Sequence, residues 1–407
     1  MRILKIVPQA FYAPRGTPLS AYHRARELIA RGHVVDILTY GVGEAPPHLD
    51  ARLFRARGPH FCRTLPAGPS GRKIWLDLLL FAALIARLCR ERYDVLYAHE
   101  EGALLARIAG ALFRIPYAYD MHSSLPLQIT DWKFSSRRSV VALFRWVERL
   151  CVSGACAVVA ISPAVARAAR SAWPGARCIV LTNCFEPEKK AADGDRERIR
   201  ARHGVGPDER LIVYTGSFVA LQALDLLLEA LPRVLAAVPK ARLLLIGGSA
   251  PEIAQLRILA GQLGIAERVI LERAHPQEEI PGYLAAADAL VSPRVQGINP
   301  PGKLLSYLAS ERPVVATDTL VHNQLLTSEC AILTEPDARG LADGLVLALT
   351  DAALTDRMME ASRRLLARLC SKGARDAAYD EIASAAHAGR SKRPARLVSS
   401  EHSPRGH

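Results

Sequence analysis

Residues Val291–Asp318, reading VSPRVQGINPPGKLLSYLASERPVVATD, constrain the fold of this 407-residue chain more than any other stretch. Its two short apolar runs, Ala289–Val291 and Val314–Ala316, have the length and β-branched content of strands buried on both faces, as in a parallel sheet. Between them, Lys303 to Ser310 carries Leu304, Leu305, Tyr307 and Leu308 at helical spacing. The segment ahead of that helix, Ser292–Gly302, is irregular and holds three Pro, two Gly and the polar side chains of Arg294, Gln296 and Asn299. In an open α/β sheet such a loop lies beyond the carboxyl ends of the strands, where ligands bind. Free N–H groups, the helix dipole and two flanking cations, Arg294 and Lys303, suit a phosphate. The same residues would also serve as an ordinary strand–loop–helix with two solvated cations.

The rest of the chain repeats this alternation. Arg2–Val7 reads as a buried strand, followed by a loop Pro8–Pro18, a helix from about Leu19 to Arg31 closed by Gly32, and a strand His33–Thr39. Asp94–Ala98 and Pro116–Asp120 flank a helix Gly102–Phe113, and Ala157–Ile161 and Cys178–Leu181 complete a first set of strands. A second set opens with Leu211–Thr215 and continues with Arg242–Ile246 and Val269–Leu271. The length suits two domains, 1–187 and 210–370, separated by a charged linker at 188–209. Residues 389–407, rich in Arg, Ser and Pro, read as a disordered basic tail.

Composition limits the partners. Half the residues are hydrophobic, and the formal net charge is +13. Residues 1–187 hold about 25 Lys and Arg against about 13 Asp and Glu, so most of the excess lies in the first half. An anionic partner follows: nucleotide phosphates, an anionic membrane face or nucleic acid. Eight Cys with no C-x-x-C pair argue for reduced thiols in a cytosolic protein, and Met1–Val7 runs straight into a strand pattern with no secretory signal. Ile74–Leu88 is apolar with basic flanks, but Asp77 interrupts it and Leu78–Ala86 is far short of the ~20 residues of a membrane span. It reads as a core-packed helix or as one resting on an anionic membrane face. Trp132, Phe134, Phe144 and Trp146 interleave with cations, as on a nucleic-acid- or lipid-contacting face, but the spacing of Leu143, Trp146, Val147 and Leu150 is that of an ordinary amphipathic helix and favours the core for Trp146.

The stretch 291–318 resembles the donor-site segment of GT-B glycosyltransferases, most closely glycosyltransferase family 4. Pro293, Gly297, Lys303, Leu304, Tyr307, Leu308, Ala309, Pro313 and Asp318 match it. The string R-G-T-P-L-S-A-Y-H-R-A-R-E-L-I-A-R-G-H-V-V-D is similar to the family's opening, in which a Gly-rich loop approaches the donor phosphate, here at Gly16. D-M-H-S-S-L-P places His122 where the family has a histidine at the sugar-transfer centre, with Ser123 beside it and His99 and Glu100 ending the preceding strand. T-N-C-F-E is similar to the interdomain turn, with Asn183 matching and Cys184 in place of glycine. Gly216 and Gly247 fall on the family's glycines after two strands of the second domain.

Several positions depart from the family pattern. The second of two usual glutamates, which holds the donor ribose, falls on Ser306, and the first has no clear equivalent. Ser217 stands where an Arg grips the diphosphate, and Gln222-Ala223 where a Lys-Gly pair does, so two charge-assisted contacts are absent. Glu311 replaces the glycine after the helix, an unfavourable C-cap.

The resemblance implies an α/β chain of GT-B architecture, two Rossmann-like parallel-sheet domains facing across a cleft, with a helix at 371–388, holding Tyr379, returning to the first domain. It implies a retaining, metal-independent transfer of a hexose from a nucleotide diphosphate sugar to a glycan or lipid-linked acceptor. The donor would rest on Gly16, Gly216, Ser217, Gly247, Arg294, Asn299, Lys303, Leu304 and Ser306. The acceptor would lie near His99, Glu100 and Ser123, and His122, on a little-buried loop, would line the sugar. No cofactor and no metal are expected; Asp193-Gly194-Asp195 matches a D-x-D metal motif but sits among polar residues. An anionic membrane surface is a further expected partner and nucleic acid is not, with a cytoplasmic location at the inner membrane face. The absent cations and carboxylates also suit a scaffold of this fold that binds a nucleotide or partner without transfer.

Overall fold

The computed structural model describes residues 1–12, 16–46, 48–56, 58, 71–126, 137–184, 191–297 and 300–391. Asn299, Trp132, Phe134 and all but the first three residues of the basic tail lie outside these. Seven strands, β1 (Arg2–Val7), β2 (Val34–Tyr40), β3 (Arg52–Ala56), β4 (Val95–His99), β5 (Tyr117–Met121), β6 (Ala157–Ala160) and β7 (Cys178–Val180), form one sheet in the order β3-β2-β1-β4-β5-β6-β7. Six more, β8 (Arg210–Thr215), β9 (Ala241–Gly248), β10 (Val269–Arg273), β11 (Ala289–Ser292), β12 (Val314–Thr317) and β13 (Ile332–Thr334), form a second in the order β10-β9-β8-β11-β12-β13. Every pairing is parallel, as the continuous apolar runs require.

The helices are α1 (Gly16–Ala30), α2 (Gly71–Arg90), α3 (Gly102–Phe113), α4 (Arg138–Gly154), α5 (Pro163–Ala172), α6 (Asp195–Arg202) and α7 (Leu224–Ala237). They continue with α8 (Ala250–Gln262), α9 (Ile280–Ala286), α10 (Lys303–Ala309), α11 (Leu320–Asn323), α12 (Ala338–Thr350), α13 (Ala352–Leu369) and α14 (Lys372–Ser391). Both sheets share one topological consequence. The chain builds outward from β1 or β8 in one direction, then returns to build the other edge from β4 or β11. Ligand crevices open where the order reverses, between β1 and β4 and between β8 and β11.

The first sheet is covered on one face by α2 to α5 and on the other by α1 and α14. Tyr379, Ile382, Ala385 and Ala386 of α14 pack with Ile3, Val95, Ala118 and Val159, so the last described helix closes the first domain. Helix α2 buries Leu76, Leu80, Leu84 and Leu88, one stripe at i+4 spacing, and leaves Ile74, Trp75 and Leu78 exposed. Across the cleft the two carboxyl edges touch where Ser162 Oγ donates to Gln324 Oε1 at 3.1 Å.

Four expectations are corrected. Helix α1 starts at Gly16 rather than Leu19, with Pro18 tolerated in the first turn. The charged stretch 188–209 holds helix α6, docked on the second domain: Ile199 is buried, and Arg196 donates to the carbonyls of Ala285, Ala286 and Ala287 and pairs with Asp288 at 2.6 Å. Trp146 lies on the outer face of α4, 60% exposed, because Cys151 and Val152 carry the inward stripe. The thiols are not all reduced, since Cys184 and Cys370 form a disulfide with their Cα atoms 5.3 Å apart.

That disulfide has a defined place. Cys184 lies just beyond β7, where the chain leaves the first domain, and Cys370 lies between α13 and α14, where it returns. The bond therefore ties the two crossings together and closes a loop with a sequence separation of 186 residues. Reduction by dithiothreitol is expected to lower the unfolding free energy by about 2–4 kcal/mol, the usual range for a disulfide. Cys370→Ser should show the same loss and no further response to reductant in denaturant titrations; equal stability with and without reductant would contradict this.

Candidate active site

The second domain contributes a cationic cradle. Strand β8 ends at Thr215, and the next residue, Gly216, has φ +135° while Gly247 at the end of β9 has φ +123°. A Cβ on Gly247 would fall 2.2 Å from the Gly216 carbonyl oxygen, so only glycine lets these loops meet. The Thr215 N–H donates to Tyr307 Oη at 2.8 Å, fixing α10 against the end of β8. One turn earlier on α10, Lys303 extends its ammonium over the Tyr214 ring, 3.5 Å from the centroid. It donates to Gln222 Oε1 at 3.2 Å. Gln222 stands where the family carries a lysine, so Lys303 reaches the place of the missing cation.

Arg294 is the second cation. Its Nε donates to the Gln296 carbonyl at 2.7 Å, and Thr317 Oγ1 donates to the Arg294 carbonyl at 2.6 Å. Gly297, at φ +106°, passes so close that a Cβ would sit 2.0 Å from the guanidinium. Below this loop His322 joins the ends of β11 and β12 through Ser292 Oγ at 2.9 Å and the Thr317 carbonyl at 2.8 Å. Burial pushes His322 down to about 4, which makes it a neutral brace. Burial and then the Arg294 charge push the Lys303 ammonium well below its ordinary value. Two cations brought together this way gain most from an anion between them.

The first domain contributes a buried ion cluster at the carboxyl ends of β4 and β5, where His99 and Asp120 lie opposite in register. His99 Nδ1 is 3.1 Å from Asp120 Oδ2, and His122 Nε2 is 3.4 Å from Asp120 Oδ1. Arg24 Nε approaches Oδ1 at 3.3 Å, and Lys5 Nζ approaches Oδ2 at 3.6 Å while lying over the Tyr97 ring. Burial alone would raise the Asp120 carboxyl, but Arg24, His122 and His99 outweigh it and hold it well below the carboxylate range. Burial lowers Lys5 to about 8 against the pull of Asp120, and burial with His122 lowers His99 to about 3. His122 is lowered by burial against the opposing pull of Asp120. Both histidines are therefore neutral near pH 7.

His99, Asp120 and His122 are also the residue types of a metal site, with ligand atoms within 4.8 Å of one another. The charges around them do not fit a cation. Lys5 and Arg24 already share the one carboxylate, so a divalent ion would add positive charge to a cluster with an excess of it.

The expected residues thus gather in two groups. Gly216, Gly247, Arg294 and Lys303 meet at one crevice, and His99, Glu100, His122 and Ser123 at the other, where Ser123 Oγ donates to Glu100 Oε2 at 3.3 Å. His122 is buried at 3% exposure, contrary to the expectation of a little-buried loop. Leu304 is wholly buried core, so its side chain is unavailable to a donor. Ser217 and Ser306 are exposed, and Gly16, exposed at φ +39°, opens α1. Asp120 stands in the D-M-H-S-S-L-P stretch without a role apparent there, and no motif marks Arg24, Lys5 or His322. Charged residues within apolar strands and helices, as at Lys5 and Asp120, were the available signal.

Known proteins resemble the chain across both domains. The family model described as Glycosyl transferase 4-like domain matches residues 15–184, and the one described as Glycosyl transferases group 1 matches residues 209–351. A GDP-mannose-dependent alpha-(1-6)-phosphatidylinositol monomannoside mannosyltransferase from Mycolicibacterium smegmatis is 35% identical over 143 residues; the match covers 34% of this chain and 36% of that enzyme, so the shared stretch spans about a third of its length. A phosphatidyl-myo-inositol mannosyltransferase from Mycobacterium tuberculosis is 23% identical over 90% of this chain and 93% of its own. Among solved structures, Anabaena HepE in complex with UDP-glucose superposes with a TM-score of 0.72 at 19% identity, covering 94% of this chain and 100% of that one, a likeness of fold.

The lowered Lys303 ammonium generates a test. A nucleoside diphosphate seated against it should restore its charge, so binding should take up a proton at pH values between the lowered value of the empty protein and the ordinary lysine value of about 10.4, and none well below that window. Calorimetry with a panel of nucleoside diphosphates in buffers of different ionisation enthalpy should detect that uptake. Lys303→Ala should abolish it and weaken binding by about 1.5–3 kcal/mol, the range for a charged hydrogen bond. Unchanged affinity in the folded variant would remove Lys303 from the site.

Proposed function

This chain is a GT-B glycosyltransferase of the family 4 type, and we propose that it moves a hexose from a nucleotide diphosphate sugar to a glycan or lipid-linked acceptor, with retention of anomeric configuration and without a metal. The meeting of Arg294 and Lys303 beside the Gly216 backbone carries this assignment. Departure of a diphosphate leaves negative charge on its oxygens, and fixed cations in a partly desolvated crevice stabilise it more in the transition state than in the ground state. Two protein cations thereby perform the electrostatic task that a divalent ion performs elsewhere. His122, across the cleft, lines the sugar whose anomeric carbon becomes electron-poor, and Glu100 and Ser123 flank the acceptor. The names of the matched relatives put GDP and mannose first in any donor panel. Exposed Ser217 and Ser306, bearing neither cation nor carboxylate, favour the second reading, a binding scaffold without transfer. Donor turnover by the purified protein separates the two.

A lipid-linked acceptor accords with the outer face of the first domain. Helices α2, α3 and α4 are neighbours, and they carry Ile74, Trp75, Leu78, Ile108, Leu112, Leu143 and Trp146, seven of the twelve exposed large apolar residues among those described. Their two acidic residues are withdrawn: Asp77 accepts from Tyr40 Oη, and Glu148 accepts from Ser124 and the Leu125 N–H. Arg72, Arg138, Arg145 and Arg149 stay exposed around the tryptophans. No described helix is long and apolar enough to cross a membrane, so this face would rest on an anionic leaflet, with location at the inner face of the membrane. Binding to anionic liposomes should fall with salt and with the paired change Trp75→Ala and Trp146→Ala. Equal binding to neutral and anionic vesicles would favour a soluble acceptor.

His122→Ala tests the transfer site. Because the ring is buried against His99, the substitution should cost about 1–3 kcal/mol of stability. Nucleotide affinity should persist, since the diphosphate rests on the other domain. Turnover should fall by roughly 100-fold or more, the scale of a lost transition-state contact. Near-normal turnover would exclude His122 from the chemistry.

A further inference from the structure

His122 Nε2 has two close polar neighbours, Asp120 Oδ1 and Ser20 Oγ, each at 3.4 Å. What each can offer traces back to Arg24. The Arg24 guanidinium only donates, and its Nη2 reaches Asn183 Oδ1 at 3.2 Å, which fixes the amide oxygen rather than its nitrogen on that side. The same Nη2 donates to the Leu181 carbonyl at 2.6 Å, so the arginine is anchored to the crossing between the domains. Ser20, one turn before Arg24 on α1, lies 3.0 Å from that Asn183 oxygen and must donate its only proton to it. Toward His122 the hydroxyl is then an acceptor. On the other side, Arg24 Nε lies 3.3 Å from Asp120 Oδ1 and holds the carboxylate ionised, hence also an acceptor. Two acceptors at Nε2 require the ring proton there and leave Nδ1 with its lone pair.

We propose that Arg24 is a positioning residue for His122: by fixing the direction of the Asn183–Ser20 hydrogen bond and the charge of Asp120, it sets the Nε2–H tautomer, so that Nδ1 is the atom that accepts from a sugar hydroxyl. This rests on the placement of His122 at the sugar site proposed above. Arg24 is 1% exposed and otherwise touches Tyr379 of α14, and Lys5, Tyr97 and His99 are the remaining polar groups around Asp120. Because Leu181 and Asn183 belong to the first interdomain crossing, the polarity of the site is also tied to the segment about which the domains are joined.

The experiment is ¹⁵N NMR of the full chain labelled at histidine, with His122 assigned by difference against His122→Ala, beside turnover of the nucleotide diphosphate sugar that the calorimetric panel selects. In the wild type, Nε2 should be protonated and Nδ1 bare. Arg24→Lys, which still only donates, should keep that pattern, whereas Arg24→Met should give mixed tautomers. Turnover in Arg24→Met should fall at least about tenfold, since a mis-set tautomer is costly even in intact geometry, with nucleotide affinity unaltered. If Arg24→Met does not fold, the charge-balanced pair Arg24→Met with Asp120→Asn is read the same way. A proton on Nδ1 in the wild type, or an unchanged Nε2–H pattern in the methionine variant or in that pair, would overturn the proposal. A changed tautomer together with normal turnover of His122→Ala would leave the positioning intact and sink the sugar-site reading instead.

Discussion

The Asp120 carboxylate is the interaction on which the first half of the site depends. It is wholly buried, and taking a carboxylate out of water costs several kcal/mol unless partners repay it. Four groups do so, Lys5 from β1, Arg24 from α1, His99 from β4 and His122 just after β5. Each belongs to a different element, so one carboxylate fixes the relative positions of two neighbouring strands, the helix that covers them and the loop that carries the candidate sugar-site histidine. A hydrophobic replacement of matching volume would give stability at lower electrostatic cost. What it would not give is a fixed ring orientation at the end of β5.

The second domain solves the opposite problem. Its crevice brings two positive charges together, and among the described residues the groups nearest Lys303 are an aromatic face, a glutamine and another cation. Such an arrangement is unfavourable in the empty protein and favourable around a diphosphate. The first domain surrounds a buried carboxylate with cations and rings, whereas the second sets two cations beside each other. That asymmetry fits a donor gripped on one side of the cleft and a sugar oriented from the other.

Among the described residues, several connections join the two halves. Ser162 touches Gln324 across the edges, the chain crosses at Leu181–Cys184 and returns at Cys370, and the disulfide binds those crossings to each other. Arg375 adds a hydrogen bond to the Cys184 carbonyl at 3.0 Å. The crossings are thus cross-linked to one another, while Leu181 and Asn183 also reach into the ion cluster through Arg24.

The sequence by itself determined the architecture and the neighbourhood of the site. Apolar runs such as Ala289–Val291 and Val314–Ala316 have the length and β-branched content of strands buried on both faces, and helical spacing between them suits parallel crossovers with a crevice at the strand ends. Arg294 and His122, the candidate residues that follow β11 and β5, stood out as polar residues near strand ends, and Lys303 as a cation opening the next helix, with the family resemblance adding weight to His122. The strand β3 was not legible, since the half-buried RLFRA of Arg52–Ala56 lacks the apolar run, and Trp146 was misplaced because α4 buries a narrower stripe than its spacing suggests. Only the tertiary structure decided which side chains share a partner. Lys5, Arg24, His99, Asp120 and Asn183 meet from positions up to 178 residues apart, and Cys184 and Cys370 are separated by 186. Local periodicity reports which face of an element is buried. It carries no record of what another element brings to that face, and the pairing of charges, thiols and ring protons is settled by that alone.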